Sequence, residues 1–193
     1  PLTRMRLRTD LLDDEELRGK LQSDLNDMET MVGATLDFMR GTESRETSQR
    51  LDLMALLETI LEDARDAGWE ASLSGQVSQP IQGRPTALKR CITNLVENAA
   101  RYGGGVEIAA ADDGSRVSVT VSDQGPGIPE EFLEKAFDPF FRLESSRSRH
   151  TGGTGLGLGI ARNIARAHGG DLVLRNRRGG GLDLVVEFEH ACC

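Results

Sequence analysis

The chain has 193 residues, with 23 Lys or Arg against 31 Asp or Glu and a net charge of -8. That length suits one ordinary domain, or a small domain plus a helical piece, and the acidic balance disfavours nucleic acid or an anionic membrane surface as main partner. No apolar run approaches the roughly 20 residues that span a bilayer and no signal peptide is seen, so this piece is expected to be soluble.

Residues 1–41 read as helix, turn, helix. Leu2, Met5 and Leu12 fit an amphipathic first helix, and Asp13-Asp14-Glu15 fits a polar turn. In the second helix Leu21, Leu25, Met28, Val32, Thr35 and Met39 step by alternating fours and threes, the rhythm of a coiled coil or four-helix bundle. Two helices alone cannot bury such a seam. A homodimer of hairpins making four helices would do so, and a hairpin packed on its own domain is the other reading. Gly41 fits a helix C-cap, and residues 42–50 read as a polar linker.

From Leu51 the pattern becomes α/β. A helix is expected from about Leu53 to Ala67, a short strand from Glu70 to Leu73, and a second helix from Pro85 to Arg101, with proline in its first turn. Gly103-Gly104-Gly105 breaks the chain, and two strands follow. In the second, Val117, Val119 and Val121 alternate with Ser118, Thr120 and Ser122, which implies one buried and one polar face. Ile128 to Thr154 lacks sustained periodicity apart from a short helix candidate at Pro129–Lys135, and a long segment of this kind inside a compact domain reads as a lid. A helix from about Leu156 to Ala167 and strands near Asp171–Asn176 and Gly181–Glu189 complete the chain. The expected fold is α+β: a helical hairpin over 1–41, a linker over 42–50, an α/β sandwich with a mostly antiparallel sheet over 51–190, and a tail over 191–193. Three cysteines without framework spacing point to a reducing compartment. Cys91 reads as a small core residue, and Cys192 and Cys193 lie in the tail.

Three elements carry chemistry. In Asn94-Leu95-Val96-Glu97-Asn98-Ala99-Ala100-Arg101-Tyr102, the spacing puts Asn94, Asn98, Arg101 and Tyr102 along one helical stripe beside an apolar one. An amide oxygen can ligate Mg²⁺, a guanidinium can hold phosphate, and a tyrosine ring can pack on a purine. A partly exposed helix face is the plain alternative. In Asp123-Gln124-Gly125-Pro126-Gly127-Ile128, an acid ends a buried strand and two glycines let backbone approach a ligand closely. The run also resembles the first motif of methyltransferases, and by itself it is equally a tight turn. In Gly152-Gly153-Thr154-Gly155-Leu156-Gly157-Leu158-Gly159, a glycine-rich turn opens a helix, and its backbone N–H groups can hold an anion. It is neither a Walker A loop nor a dinucleotide fingerprint, because the Lys-Ser/Thr ending and the preceding strand are missing.

In this order and spacing the three elements resemble the N-box and two glycine boxes of histidine kinases, members of the GHKL ATPase superfamily. Phe137-Asp138-Pro139-Phe140-Phe141-Arg142 resembles the family's phenylalanine box, and Ala167-His168-Gly169-Gly170 its usual helix end. Pro1-Leu2-Thr3-Arg4-Met5-Arg6-Leu7 resembles the residues just after the phosphoacceptor motif of osmosensor-type kinases, so the acceptor histidine is expected to precede Pro1 and this piece is expected not to phosphorylate itself. His150, His168 and His190 lack that motif.

The resemblance implies a Bergerat-type fold that binds ATP with Mg²⁺. Asn98 would ligate the metal and Asn94 would support that site. Asp123 would read adenine, Tyr102 would pack on the base, and Gly125, Gly127 and Ile128 would line the pocket. Arg101 would contact phosphate, and Gly153, Thr154, Gly155, Leu156, Gly157 and Leu158 would cradle the phosphate tail. Arg142 would reach the phosphates from the lid; Arg147 and Arg149 could do the same, but a charged face is the favoured reading for those two. The γ-phosphoryl would pass to a histidine of the dimerisation helix and on to an aspartate of a response regulator receiver domain. The implied setting is the cytoplasm, as a homodimer through the hairpin, without nucleic acid and with the parent anchored upstream in a bacterial inner membrane. A nucleotide-binding regulatory dimer without transferase activity, and another GHKL ATPase such as an anti-sigma serine kinase, are the competing readings.

Overall fold

The computed structural model describes residues 2–9, 14–40, 46–143 and 153–189. The expectations for Pro1, Leu12, Asp13, Gly41, the first part of the linker, Arg147, Arg149, His150, Gly152, His190, Cys192 and Cys193 fall outside these residues.

Helix α1 covers Leu2–Thr9 and α2 covers Glu15–Arg40. Asp14 begins the second helix by accepting the N–H groups of Glu16 and Leu17, both at 3.0 Å. Leu25 is buried on α2, whereas Leu21, Met28 and Val32 of the same heptad seam stand exposed. One short partner helix covers only part of a stripe that wide.

The second unit is built around a five-stranded sheet, in the order β2-β4-β5-β7-β6. The strands are β2 Glu70–Gly75, β4 Gly105–Asp112, β5 Arg116–Ser122, β6 Asp171–Asn176 and β7 Leu182–Glu189. Only β2 and β4 run parallel, and the other pairs are antiparallel. Val117, Val119 and Val121 are fully buried, as are Leu184 and Val186 opposite them, so alternation sends one sheet face inward. Helices α3 (Leu53–Asp66), α4 (Pro85–Gly103) and α5 (Gly157–Arg166) cover that face. Leu57, Ile60, Leu88, Ile92, Leu95 and Ala161 meet it in one core. Burying each large aliphatic side chain here stabilises the fold by about 1.5–3 kcal/mol. Cys91 lies in the core as expected. Its thiol donates to the Ala161 carbonyl across the α4–α5 contact at 3.4 Å, and burial pushes its pKa up to about 12, so it is an inert packing group.

Two short strands escaped the sequence reading. β1 (Gln49–Leu51) pairs antiparallel with β3 (Ile81–Gly83) and draws the end of the expected linker into the domain. Three residues are too few to display a period of two. The helix candidate at Pro129–Lys135 is instead two 3₁₀ turns, Glu130–Phe132 and Lys135–Phe137. The segment is too short for α-helical nucleation, which needs several residues fixed before the first bond is gained. Arg162 of α5 secures this segment. Its guanidinium stacks 4.2 Å from the Phe137 ring centroid, pairs with Glu134, and binds Asp171 at 2.9 Å.

Two groups fasten the start of α4. Glu46 accepts the N–H groups of Thr86 (2.8 Å) and Ala87 (3.3 Å), which the N-cap residue Arg84 does not satisfy. His168, half-buried after α5, accepts the Arg84 N–H at Nε2 (3.1 Å). Its proton therefore sits on Nδ1, which donates to the Ile164 carbonyl at 2.7 Å. Burial, aided by nearby Arg84, holds the His168 pKa below its ordinary value. The unfolded chain thus takes up this proton first, near the usual value of about 6.5. The stabilisation is complete above that pH and is lost as pH falls toward the lower folded value. We expect the melting temperature to fall between pH 7.5 and 5.5, and His168→Gln, which does not titrate, to flatten that fall. Parallel curves for the two proteins, followed by circular dichroism, would contradict this role.

Candidate functional site

The three sequence elements meet along α4. Pro85 starts this helix and Gly104, at φ 73°, ends it, so its last turn is delivered to the tip of β5. There a β-carbon on Gly103 would fall 2.4 Å from Asp123 Cβ, and one on Gly125 would fall 2.7 Å from the Tyr102 carbonyl oxygen. Further up the helix, a β-carbon on Gly153 would fall 2.3 Å from Arg101 Nη1, and one on Gly157 would sit 3.5 Å from Asn94 Oδ1. Asn94, Arg101 and Tyr102 therefore lie against the two glycine-bearing loops, with Asn98 on the same helical stripe between them.

Asp123 is 2% exposed, the most enclosed acid of the site. Its Oδ1 accepts the N–H groups of Gly125 (2.7 Å) and Leu182 (3.2 Å), while its backbone N–H donates to the Leu182 carbonyl at 3.0 Å. Burial raises its pKa. The two N–H groups and the Arg177 cation pull the other way, and the Asp183 carboxylate adds to the rise. With Oδ1 occupied by backbone, Oδ2 is the atom left to accept a hydrogen bond from a ligand.

Helix α5 begins at Gly157, and no side chain caps it, so its first backbone N–H groups are available to an anion. Leu156 and Leu158 turn their side chains into the core. What they can present to a ligand is backbone, as with Gly153, Gly155 and Gly157, whereas Thr154 also carries a hydroxyl. Gly155 holds φ 70° and its carbonyl accepts the Phe140 N–H at 3.0 Å, which ties the phenylalanine box to the second glycine box. A β-carbon there would lie 2.8 Å from the Phe140 carbonyl carbon, so glycine is required on both counts. Arg142 donates to the Gly153 carbonyl at 3.1 Å and thereby joins the lid base to the same loop. Phe140 itself is exposed and takes a left-handed backbone, φ 65°.

One polar atom is conspicuous. The side-chain nitrogen of Asn94 is buried and has no hydrogen-bond partner among the described residues. Such a donor costs about 1–3 kcal/mol unless something supplies an acceptor. It lies beside the second glycine box, where an oxygen-rich ligand would satisfy it.

Two further residues of the site belong to none of the sequence motifs. Asn176 and Arg177, at the end of β6, both grip the Asp123–Ile128 loop. An asparagine ending a strand before a glycine-rich turn was the available signal. The methyltransferase alternative for Asp123–Gly127 fails, because 3₁₀ turns and no helix follow the glycines.

Residues 83–191 match the family described as histidine kinase-, DNA gyrase B- and HSP90-like ATPases. The chain is 45% identical over 188 residues to the sensor histidine kinase GtrS of Pseudomonas aeruginosa, covering 97% of this chain and 39% of that protein. It resembles the solved catalytic domain of histidine kinase ThkA at 30% identity and a TM-score of 0.63, covering 74% of this chain and 97% of that one. The fold of full-length ShkA in complex with AMPPNP matches all of this chain, and 43% of that one, at a TM-score of 0.75 and 24% identity. The chain thus spans well under half the length of GtrS. A match over more than half of the sequence joins the gathering of N-box and glycine boxes on one helix, and the chain belongs to the histidine kinase-, DNA gyrase B- and HSP90-like ATPase family.

Proposed function

We propose that this chain is the core of a sensor histidine kinase, binding ATP with Mg²⁺ between α4 and the two glycine boxes and transferring the γ-phosphoryl to a histidine of the dimerisation helix. The observation that carries this reading is the approach of α4 to both glycine boxes at once, to the first through Tyr102 and Gly103 and to the second through Asn94 and Arg101.

Each side chain has a role that fits its setting. Asp123 Oδ2 would accept the adenine amine from a buried, pre-oriented carboxylate, and Tyr102 would cover the base with Gly125, Gly127 and Ile128. Arg101, against Gly153, would face the phosphates, and the N–H groups that open α5 would cradle them. Arg142 would act from the base of the lid. No three His, Cys, Asp or Glu gather into a metal cage among the described residues. A cation here would therefore be held by amide oxygen, chiefly that of Asn98, together with phosphate oxygens and water, the arrangement Mg²⁺ favours. The unpartnered Asn94 donor fits a ligand of that oxygen-rich kind. Bound Mg²⁺ would supply neutralisation of phosphate charge. The protein's share is positioning and desolvation, which phosphoryl transfer needs more than covalent chemistry.

The exposed Leu21, Met28 and Val32 support residues 1–41 as half of a dimeric four-helix bundle, with a response regulator receiver domain docking on it. Among the described residues no helix is long and apolar enough to cross a membrane. The parent is proposed to be anchored in a bacterial inner membrane, with this part in the cytoplasm.

Two experiments test the reading. Calorimetry is expected to show ADP bound at least about tenfold more weakly by Asn98→Ala in Mg²⁺, a loss of roughly one hydrogen-bonded or metal contact, with equal affinities in chelator. Equal affinity in Mg²⁺ as well would remove Asn98 from the metal. Mixed with a separately supplied helical bundle bearing the phosphoacceptor motif and with labelled ATP–Mg²⁺, the chain is expected to label that bundle on histidine. Binding of ATP without any labelling would favour the regulatory-dimer reading.

A further inference from the structure

The first glycine box is held from two sides. The end of α4 supports one side, and the turn joining β6 to β7 holds the other through contacts that lie outside the recognised motifs. Asn176, the last residue of β6, makes two hydrogen bonds to a single distant residue. Its Oδ1 accepts the Ile128 N–H at 2.9 Å, and its Nδ2 donates to the Ile128 carbonyl at 2.7 Å. The amide thus offers Ile128 the acceptor and donor pair that a neighbouring strand would offer. The fit is close, because a β-carbon on Gly127, which holds φ 73°, would fall 2.6 Å from Asn176 Oδ1.

The next residue continues the grip. Arg177 Nη1 donates to the Asp123 carbonyl at 3.1 Å, and its guanidinium is oriented by Glu107 at 3.4 Å and Asp183 at 3.6 Å. Asp183 in turn accepts the Ser122 hydroxyl at 2.7 Å. A β-carbon on Gly181 would come 2.2 Å from the Asp123 carbonyl oxygen, so the turn presses directly on the loop. Asp123 and Ile128, the two ends of the box, are therefore both fastened to one turn about fifty residues away in sequence.

We infer that Asn176 is a positioning residue for purine selection: by clamping the Ile128 backbone it fixes the first glycine box beside Asp123, and so sets how strictly Asp123 discriminates adenine from guanine. This rests on the proposed nucleotide site. Asn176 contacts the loop and not the phosphate-binding end, so its loss should relax the base pocket and leave the metal-dependent part of binding intact. Asparagine suits the task because it carries donor and acceptor on one planar group.

The test compares ADP and GDP binding by wild type, Asn176→Ala, Asn176→Asp and Asp123→Asn, with and without Mg²⁺, beside apo melting temperatures. Asn176→Ala is expected to weaken ADP about tenfold, to leave GDP nearly unchanged, and to keep the ratio of affinities with and without Mg²⁺. Asn176→Asp retains the acceptor for the Ile128 N–H but cannot donate to its carbonyl, so an intermediate loss is expected and the test survives if the alanine variant fails to fold. Unchanged adenine preference in both variants, or equal loss for ADP and GDP in step with a lower melting temperature, would overturn the inference. Asp123→Asn separates the two claims: if it too leaves ADP binding unaltered, the nucleotide site itself is misplaced, whereas a loss in Asp123→Asn alone rejects only the role of Asn176.

Discussion

A single helix that two loops can touch without β-carbons in the way is the constraint on which this structure depends. Helix α4 is buried along Leu88, Ile92, Leu95 and Ala99, so its position is set by the core. What remains of its surface is a polar stripe, and both glycine boxes come to that stripe. Side chains at Gly103 or Gly125 would force the elements apart, since β-carbons there would stand well inside contact distance of Asp123 Cβ and the Tyr102 carbonyl. The cost of so much glycine is chain entropy, commonly about 0.5–1 kcal/mol per residue relative to alanine in regular structure. Close approach is what offsets it.

Around that contact the electrostatics are arranged before any ligand arrives. Asp123 is carried into a nearly solvent-free position at the tip of β5, where a carboxylate is costly unless hydrogen-bonded. Two backbone N–H groups meet one of its oxygens, and Arg177 steadies its carbonyl from behind. The other oxygen is left with a fixed direction. The second glycine box has the complementary character, with Arg101, the N–H groups that open α5 and the Asn94 donor all suited to negative oxygen. One end is thus a hydrogen-bond acceptor in a dry setting and the other a set of donors, the polarity expected for a base joined to phosphates.

Much of this was legible in the sequence because its signals are local. Helix α4 declares itself by a 3.6-residue apolar repeat with proline at the front and glycine behind, and β5 and β7 by strict alternation. The site residues on α4 followed from spacing, and the loops from glycine. What could not be read was held by contacts between distant residues. Asn176 finds Ile128 and Glu46 finds Thr86 across forty or more positions, and a side chain bonded to backbone leaves no periodic trace. β1 and β3 are too short to alternate, and they exist because each supplies the other's hydrogen bonds. The helix expected after Pro129 became two 3₁₀ turns because the segment is too short to nucleate an α-helix, and Arg162, on another element, fixes where it lies.

If α4 and the two glycine boxes form one pocket, one ligand must be felt by both loops at once. Glycine amides resonate apart from most others, so an isotope-labelled sample titrated with ADP–Mg²⁺ reports on the loops directly. Gly125 and Gly127 of the first box and Gly153, Gly155 and Gly157 of the second are expected to shift together and to saturate with one dissociation constant. Shifts confined to one box, or two boxes saturating at different concentrations, would contradict a shared nucleotide site.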